Sequence, residues 1–347
     1  MASRNDLLQA KRSLSSSFLK ARTTGLVTAH SISVESALGV GARNIHAVGV
    51  GRKIVEGQST EVECVRVYVV QKMAESLLPP MLQVPATIDG IPTDVIESPP
   101  AFLMAGPPSA GAMPTCSTDR KKKQRPVVAG ISGGHIGVTA GTIGYFCYST
   151  RDGDDPDQVF ALSNNHVFAN LDSAAVGDPI LQQSVSDGGG IADQFAKFAR
   201  AVPILLGGTL VNRVDAAIAR VVEPFRGEIC SIGSIGGTQQ GAQGLEVRKH
   251  GRTSGYTEGV VEDDSYDVLV GLDHNDPNKV GFFEDQLRIQ AQSPYPAFGL
   301  GGDSGSLVVT KHDDKAVGLY FAGPASGTYG IANHIDDVLK ELEIRLL

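Results

Sequence analysis

Short apolar segments separated by glycine-rich turns recur from Val127 to the end of the chain, and this repeat constrains the fold more than any other feature. Segments of this length and spacing are typical of an all-β barrel or sandwich. The 41 glycines among 347 residues are consistent with many tight turns between short strands. We therefore expect a mainly β protein. The segments lie at 136–148, 158–163, 214–221, 245–249, 259–261, 266–271, 286–291, 305–310 and 316–322.

The residues before this region predict a small α+β unit. Residues 4–20 place leucines and Phe18 among polar residues as an amphipathic helix does. Two β-branched segments, Ile45 to Val55 and Cys64 to Val70, read as strands with a Glu-Gly turn between them. A further strand with an Asp-Gly turn near its start is expected over 86–97.

The composition changes after this unit. Residues 98–126 are rich in proline, glycine and alanine and end in the basic run RKKKQRP, which is typical of a solvated linker. The sequence thus predicts an N-terminal α+β accessory domain over 1–97, a Pro/Gly-rich basic linker over 98–126 and a β domain over 127–347.

Charge and hydropathy exclude several classes of partner. The net charge of −8 disfavours nucleic acid and anionic membrane surfaces. No apolar run approaches the ~18 residues that span a bilayer, and residues 1–20 do not resemble a secretory signal peptide. The four cysteines are scattered without metal-ligand spacing, so we expect no metal or other cofactor, unpaired thiols and a reducing compartment. This favours the cytoplasm, or the nucleus if the source is eukaryotic.

Ser304 is the first candidate catalytic residue, because it lies in the run Gly301-Gly302-Asp303-Ser304-Gly305-Ser306 beside an apolar strand. A serine hydroxyl attacks a carbonyl only when a base takes its proton and donors stabilise the resulting oxyanion. The flanking glycines allow a tight turn that aims the N–H groups of Gly302 and Ser304 at one point. By itself, such a run is equally well explained as a glycine-rich turn that contains a serine.

A base and an orienting carboxylate are also present. His166 follows an apolar strand in the segment FALSNNHV, where it could equally be an ordinary hydrogen-bonded residue. Asp215 is embedded in the apolar segment VDAAIA, and a buried aspartate is costly without a partner. The imidazole N–H of His166 would be that partner. The chain order His, Asp, Ser is the order of the chymotrypsin barrel.

Residues 127–347 resemble the chymotrypsin-like, or trypsin-like, serine peptidases, particularly bacterial ones. The resemblance rests on LSNNHV around His166, VDAAI around Asp215, GLGGDSGSLVV around Ser304 and KHGRTSGYTEGVV at 249–261. A narrower resemblance joins NIHAVGVGRKI, VRVYVVQK, SLLPP, IDGIPTDVIE and RPVVAGISGG to the plant NARROW LEAF proteins and their bacterial relatives.

The resemblance implies a double β-barrel and a role for each matched residue. Ser304 is the nucleophile, His166 the general base and then acid, and Asp215 the residue that holds the imidazole. Gly302 and Ser304 N–H form the oxyanion hole. For substrate binding, Phe298 lies at the floor of the specificity pocket, and Phe321 and Gly323 contact the substrate backbone. An apolar Phe298 argues against cleavage after arginine or lysine, so small or apolar side chains are expected.

Two departures from the family bear on regulation. Val167 stands where many members carry a disulfide cysteine. Zymogens of the family are activated by a new N-terminal amine that pairs with the aspartate beside the serine, here Asp303. Cleavage before Pro126 would leave a secondary amine, so we expect Asp303 to pair instead with an internal arginine or with backbone.

These observations favour an intracellular serine endopeptidase that takes a protein or peptide substrate. The N-terminal unit is expected to regulate access, recruit substrate or mediate homo-oligomer formation. Two alternatives remain open: a catalytically idle scaffold that binds peptides by strand addition, and a restricted peptidase that a partner activates. RKKKQR at 120–125 could also be a nuclear localisation signal, although a solvated segment is the favoured interpretation.

Overall fold

The computed structural model describes residues 3–20, 44–104, 119–207, 210–273 and 279–347. Three α-helices occur in these ranges: α1 (Arg4–Ser15), α2 (Asn165–Phe168) and α3 (Ile335–Leu342). The strands are β1 (Ile45–Val55), β2 (Gln58–Val69), β3 (Thr87–Ile88), β4 (Ile91–Glu97), β5 (Ala101–Leu103), β6 (Val127–Ala129), β7 (Gly134–His135), β8 (Tyr145–Ser149), β9 (Val159–Ser163), β10 (Pro179–Leu181), β11 (Gln194–Ala201), β12 (Val211–Asn212), β13 (Ala217–Val221), β14 (Phe225–Ile229), β15 (Glu246–Gly251), β16 (Gly255–Gly271), β17 (Val280–Ala291), β18 (Leu307–Thr310), β19 (Ala316–Gly323), β20 (Tyr329–His334) and β21 (Ile344–Leu346). The predicted mainly β class is confirmed.

The chain divides into two compact units that interleave along the sequence. Unit 1 comprises residues 1–102, 205–212 and 262–288, and unit 2 comprises 103–204, 213–261 and 289–347. Because of this interleaving, neither unit is one continuous stretch of the chain. The domain boundaries after residues 97 and 126 stay predictions.

Unit 1 is built on the β1–β2 hairpin. The turn between the two strands is Glu56-Gly57, and both residues have positive φ, as the Glu-Gly signal predicts. β2 pairs in parallel with β4, and β1 pairs with the distal part of β16 around Val268. The apolar face of α1, with Leu7 and Leu14 buried, joins the valines of β1 and β2 in one hydrophobic core.

A buried ion pair also anchors α1 within unit 1. The ammonium of Lys11 is fully buried and lies 2.7 Å from carboxylate oxygens of both Asp267 and Asp285. Ser265 accepts a further hydrogen bond from the same ammonium at 2.9 Å. A buried lysine is tolerated only when its donors are paired in this way, so these contacts fix the position of the helix on its unit.

Unit 2 contains a seven-stranded sheet in the order β21-β8-β9-β13-β11-β10-β7. Its other strands include β15, which pairs with the first residues of β16 and with β18, and β19, which pairs with β18 and β20. One hydrophobic core contains residues of β8, β9 and β13 together with Leu307, Leu319 and Val338. The helix α3 near the C-terminus has two aspartates in its first turn.

Part of the predicted linker lies among the described residues and contacts other segments of the chain. Residues 105–118 lie outside the described residues, whereas residues 101–103 form β5. In the basic run, the Arg120 guanidinium donates hydrogen bonds of 2.9 Å to the carbonyls of Arg252 and Thr253. These backbone carbonyls therefore bind the first arginine of the basic run, and the linker assignment of residues 98–126 stays a prediction.

The cysteines differ in state. Cys64 and Cys147 are buried free thiols, as expected. Cys230 is buried and disulfide-bonded, so the expectation that its thiol is unpaired is wrong, and the inference of a reducing compartment loses that support. Cys116 lies outside the described residues. No helix in the described ranges is long and apolar enough to cross a membrane.

Candidate active site

Strand pairing in unit 2 brings His166 and Asp215 together. β9 and β13 run antiparallel, with Ser163 opposite Ala217. The residues that follow β9 and the residues that precede β13 therefore lie at the same edge of the sheet. His166 occupies the short helix α2 directly after β9, and Asp215 lies two residues before β13. His166 and Asp215, which are 49 residues apart in the sequence, are thus in direct contact.

The contact between the two side chains is short and buried. His166 Nδ1 lies 2.5 Å from Asp215 Oδ2, and the backbone N–H of His166 donates to Asp215 Oδ1 at 3.2 Å. The side chains are 2% and 0% exposed, respectively. A carboxylate that accepts from Nδ1–H leaves Nε2 as the nitrogen able to take a proton. This arrangement favours the tautomer of His166 with the proton on Nδ1 and a lone pair on Nε2.

Asparagine side chains hold the backbone around this pair. Asn164 donates to the Asp215 carbonyl at 2.7 Å, and the Asp215 N–H donates to the side-chain oxygen of Asn333 at 3.1 Å. Asn165 donates to Val202 O at 2.8 Å. Buried amides can satisfy backbone groups that strand pairing leaves open, so the asparagines of the SNNHV segment position the pair.

The loop that carries Ser304 is a tight turn. Gly302 has φ +96°, in the left-handed region, and a Cβ on it would lie 2.6 Å from Thr253 Oγ1. Only glycine fits this conformation and space without strain. The Gly302 carbonyl accepts from Thr142 Oγ1 at 2.9 Å, and the Ser304 carbonyl accepts from the Thr142 N–H at 2.8 Å. Thr142 therefore fixes the loop on both sides of Asp303.

Asp303 is the centre of a buried polar cluster that supports the same loop. Its carboxylate accepts from Lys249 Nζ at 3.3 Å, from Ser254 Oγ at 2.5 Å and from the N–H groups of Thr253 and Leu300 at 2.7 and 2.9 Å. Burial opposes its charge, yet Lys249 and these hydrogen bonds hold the pKa of Asp303 below its usual value. The prediction that Asp303 pairs with backbone is confirmed. Its cationic partner is Lys249 and not the predicted arginine.

The hydroxyl of Ser304 donates to a backbone carbonyl in this structure. Ser304 Oγ lies 3.1 Å from Phe321 O, and Ser304 is fully buried. His166 Nε2 is buried and has no hydrogen-bond partner among the described residues. Ser304 Oγ and His166 Nε2 are thus not hydrogen-bonded to each other in this structure.

The predicted substrate-binding residues lie in or beside β19. Phe321 is buried within β19, and its carbonyl accepts from the Met104 N–H at 3.2 Å as well as from Ser304. Gly323 ends the strand. Phe298 is fully buried, and its ring packs edge-on against Tyr320 with 6.0 Å between centroids. Its role as the floor of a specificity pocket stays a prediction.

Several supporting residues were not predicted from the sequence. Lys249, Thr253 and Ser254 lie in the segment KHGRTSGYTEGVV. From the sequence, this segment shows only a resemblance to the serine peptidases, and no role was predicted for these three residues. Lys249 also lies over the rings of Phe298 and Tyr320, 5.6 and 5.4 Å from their centroids. The strand that carries Lys249 reads EVRKHG, and nothing in this local sequence marks the lysine as buried.

His250 is bound to the backbone. Its Nδ1 lies 2.7 Å from Gly130 O, and burial lowers its pKa to about 4. The imidazole is therefore neutral over the physiological range and is bound to backbone. His166, in contrast, is bound to a carboxylate.

The backbone is similar to solved structures of bacterial serine proteases. Nocardiopsis protease shares 16% sequence identity over 63% of this chain and 98% of that chain, with a TM-score of 0.45. Thermobifida fusca protease A shares 17% over 64% and 98%, with a TM-score of 0.43. A serine protease specific for glutamic acid shares 18% over 64% and 100%, with a TM-score of 0.45. No protein-family model and no curated sequence matches the chain.

Proposed function

We propose that this chain is a serine endopeptidase with His166, Asp215 and Ser304 as its catalytic triad. Ser304 Oγ attacks the substrate carbonyl, and His166 Nε2 takes the hydroxyl proton and later gives it to the leaving amine. Asp215 orients the imidazole and stabilises its charged form. The N–H groups of Gly302 and Ser304 stabilise the oxyanion, and water then releases the acyl group.

The observation that carries the proposal is the buried His166–Asp215 pair with an open Nε2. His46 and His250, each bound to a backbone carbonyl, also keep one ring nitrogen without a partner among the described residues, so the buried carboxylate partner is what sets His166 apart. Here Asp215 binds one nitrogen, while the other has no partner in the described parts of the chain. The left-handed glycine and the aspartate cluster then shape the turn that presents Ser304 in the same unit.

One observation favours a second candidate, an idle protease-fold scaffold that binds peptides. Ser304 Oγ donates to Phe321 O instead of to His166. In an idle scaffold this hydrogen bond is permanent, and β19 serves only to pair with a bound peptide strand. In a peptidase the hydroxyl exchanges acceptors when substrate arrives, because catalytic hydrogen bonds often form only in the substrate complex.

A peptide library distinguishes the two functions. The wild-type protein and Ser304→Ala are each incubated with a mixture of unmodified peptides, and new termini are identified by mass spectrometry. We expect the wild type to produce cleavages, with small or apolar residues before the cut bond, and Ser304→Ala to produce none above background. Exposed Ser326 provides a matched control, since Ser326→Ala should cleave as the wild type does. Binding without cleavage by either protein would favour the scaffold.

A further inference from the structure

The segment ending at Met104 occupies the candidate active site of unit 2. The Met104 N–H donates to Phe321 O at 3.2 Å, and the Met104 carbonyl accepts from the N–H of Gly302. Phe321 is the residue expected to bind substrate backbone, and Gly302 N–H is an expected oxyanion donor. Both backbone groups of one residue of this chain are thus held where a substrate residue is expected.

The remaining features of the segment are also those of a bound peptide. β5, which leads into Met104, pairs with β19, the strand that carries Phe321. Extended peptides bind protein clefts by adding a strand in this way. The side chains of Leu103 and Met104 are 5% and 4% exposed, so the apolar groups of the segment are removed from water. The residue that makes the two backbone hydrogen bonds, Met104, therefore also has its side chain packed against the protein.

The position of the Met104 carbonyl identifies the peptide bond that Ser304 would attack. Oxyanion donors are placed to bind the oxygen of the carbonyl that the nucleophile attacks. Gly302 N–H binds the carbonyl of Met104, and Ser304 Oγ shares the acceptor Phe321 O with the N–H of Met104. The carbonyl carbon presented to Ser304 is consequently that of the Met104–Ala105 peptide bond.

We propose that the protein cleaves its own Met104–Ala105 bond; this inference rests on the proposed function. Ser304 Oγ forms a bond to the Met104 carbonyl carbon, and its proton passes to His166 Nε2. The C–N bond then breaks as His166 returns the proton to the Ala105 nitrogen. Water hydrolyses the ester, leaving a carboxylate on Met104, an amine on Ala105 and a free Ser304.

The self-cleaved bond also defines a substrate class. The residue before the cut is methionine, and the two residues that precede it are Phe102 and Leu103. An extended segment of apolar residues ending in methionine is therefore the sequence that the site accepts. This agrees with the expectation of apolar specificity from Phe298, since a methionine side chain adapts to irregular apolar surfaces.

Mass spectrometry of the purified full-length protein tests the inference. We expect the wild type to yield fragments 1–104 and 105–347, with a new N-terminus at Ala105, and Ser304→Ala to remain a single intact chain. Ser326→Ala is the matched serine control and should be cut like the wild type. Met104→Pro removes the N–H that Phe321 O accepts, so it should remain uncut while Ser304 keeps its reactivity.

Fluorophosphonate labelling of the same samples separates failure of this inference from failure of the proposed function. A wild-type chain that is labelled at Ser304 but never cut after Met104 would overturn self-cleavage and leave the peptidase proposal standing. A chain that is neither cut nor labelled would overturn both. Equal cutting of wild type and Ser304→Ala would assign the cut to another protease and overturn the inference.

Discussion

Replacing His166 with alanine is expected to lower kcat/KM for a cleaved peptide by about 10⁴–10⁶-fold. In the proposed function His166 Nε2 is the base, so without it the Ser304 proton has no acceptor. The measurement is steady-state hydrolysis of one peptide identified from the library. Retained folding is checked by circular dichroism, because the imidazole is buried and its removal leaves Asp215 without its partner.

Two further variants test whether His166 and Asp215 act together in one proton transfer. Asp215→Asn should lower kcat/KM by about 10⁴-fold, because the amide favours the wrong imidazole tautomer. His166→Ala combined with Asp215→Asn should be no slower than His166→Ala alone, since residues acting as a unit are not additive. Multiplicative losses would show that the two residues do not work through one proton transfer.

Unit 2 provides a matched control for this pair. His135 Nε2 and Asp178 Oδ2 also form a His–Asp contact, at 3.2 Å, but Asp178 is 37% exposed and the pair is not assigned a catalytic role. Asp178→Asn should leave kcat/KM near the wild-type value. A loss as large as that of Asp215→Asn would mean that general disturbance of the unit, and not loss of the base, explains the Asp215 result.

Replacing Lys249 with methionine is expected to destabilise the protein by about 3–5 kcal/mol. The variant leaves Asp303 buried without its opposite charge, although Ser254 and backbone donors remain. Burial lowers the pKa of Lys249 against the attraction of Asp303, so the pair carries a large desolvation cost that the mutual contact helps to offset. Urea unfolding followed by circular dichroism measures the change.

Two further variants test whether the loss comes from the buried charge. Lys340→Met, at an exposed position of α3, should change the unfolding free energy by about 0.5 kcal/mol or less. Lys249→Met with Asp303→Asn removes both charges and should recover part of the lost stability. A Lys249→Met protein as stable as Lys340→Met would contradict the role assigned to the cluster.

The sequence could predict the residues of the site because each lies in a distinctive local context. His166 follows a strand, Asp215 precedes one, and Ser304 lies between glycines beside an apolar run. The antiparallel pairing of β9 and β13 then brings His166 and Asp215 together. The β1–β2 hairpin was predictable for the same reason, since β-branched strands and a Glu-Gly turn act over a few residues.

The parts that sequence reasoning missed depend on contacts between distant residues. Residues 262–288 belong to unit 1 although they follow the predicted boundary by more than a hundred positions. Lys249 meets Asp303 across 54 residues, and no local pattern relates them. The docking of Met104 is of the same kind, because a proline- and glycine-rich composition indicates a linker but not where its first residues bind.

The most direct test of the central claim is fluorophosphonate labelling of the purified wild-type protein with mass-spectrometric identification of the modified residue. The reagent reacts with a serine only when a base activates it and donors stabilise the adduct. We predict labelling at Ser304, none in Ser304→Ala or His166→Ala, and unchanged labelling in Ser326→Ala. A folded wild-type protein that stays unlabelled, or one labelled equally in Ser304→Ala, would contradict the account.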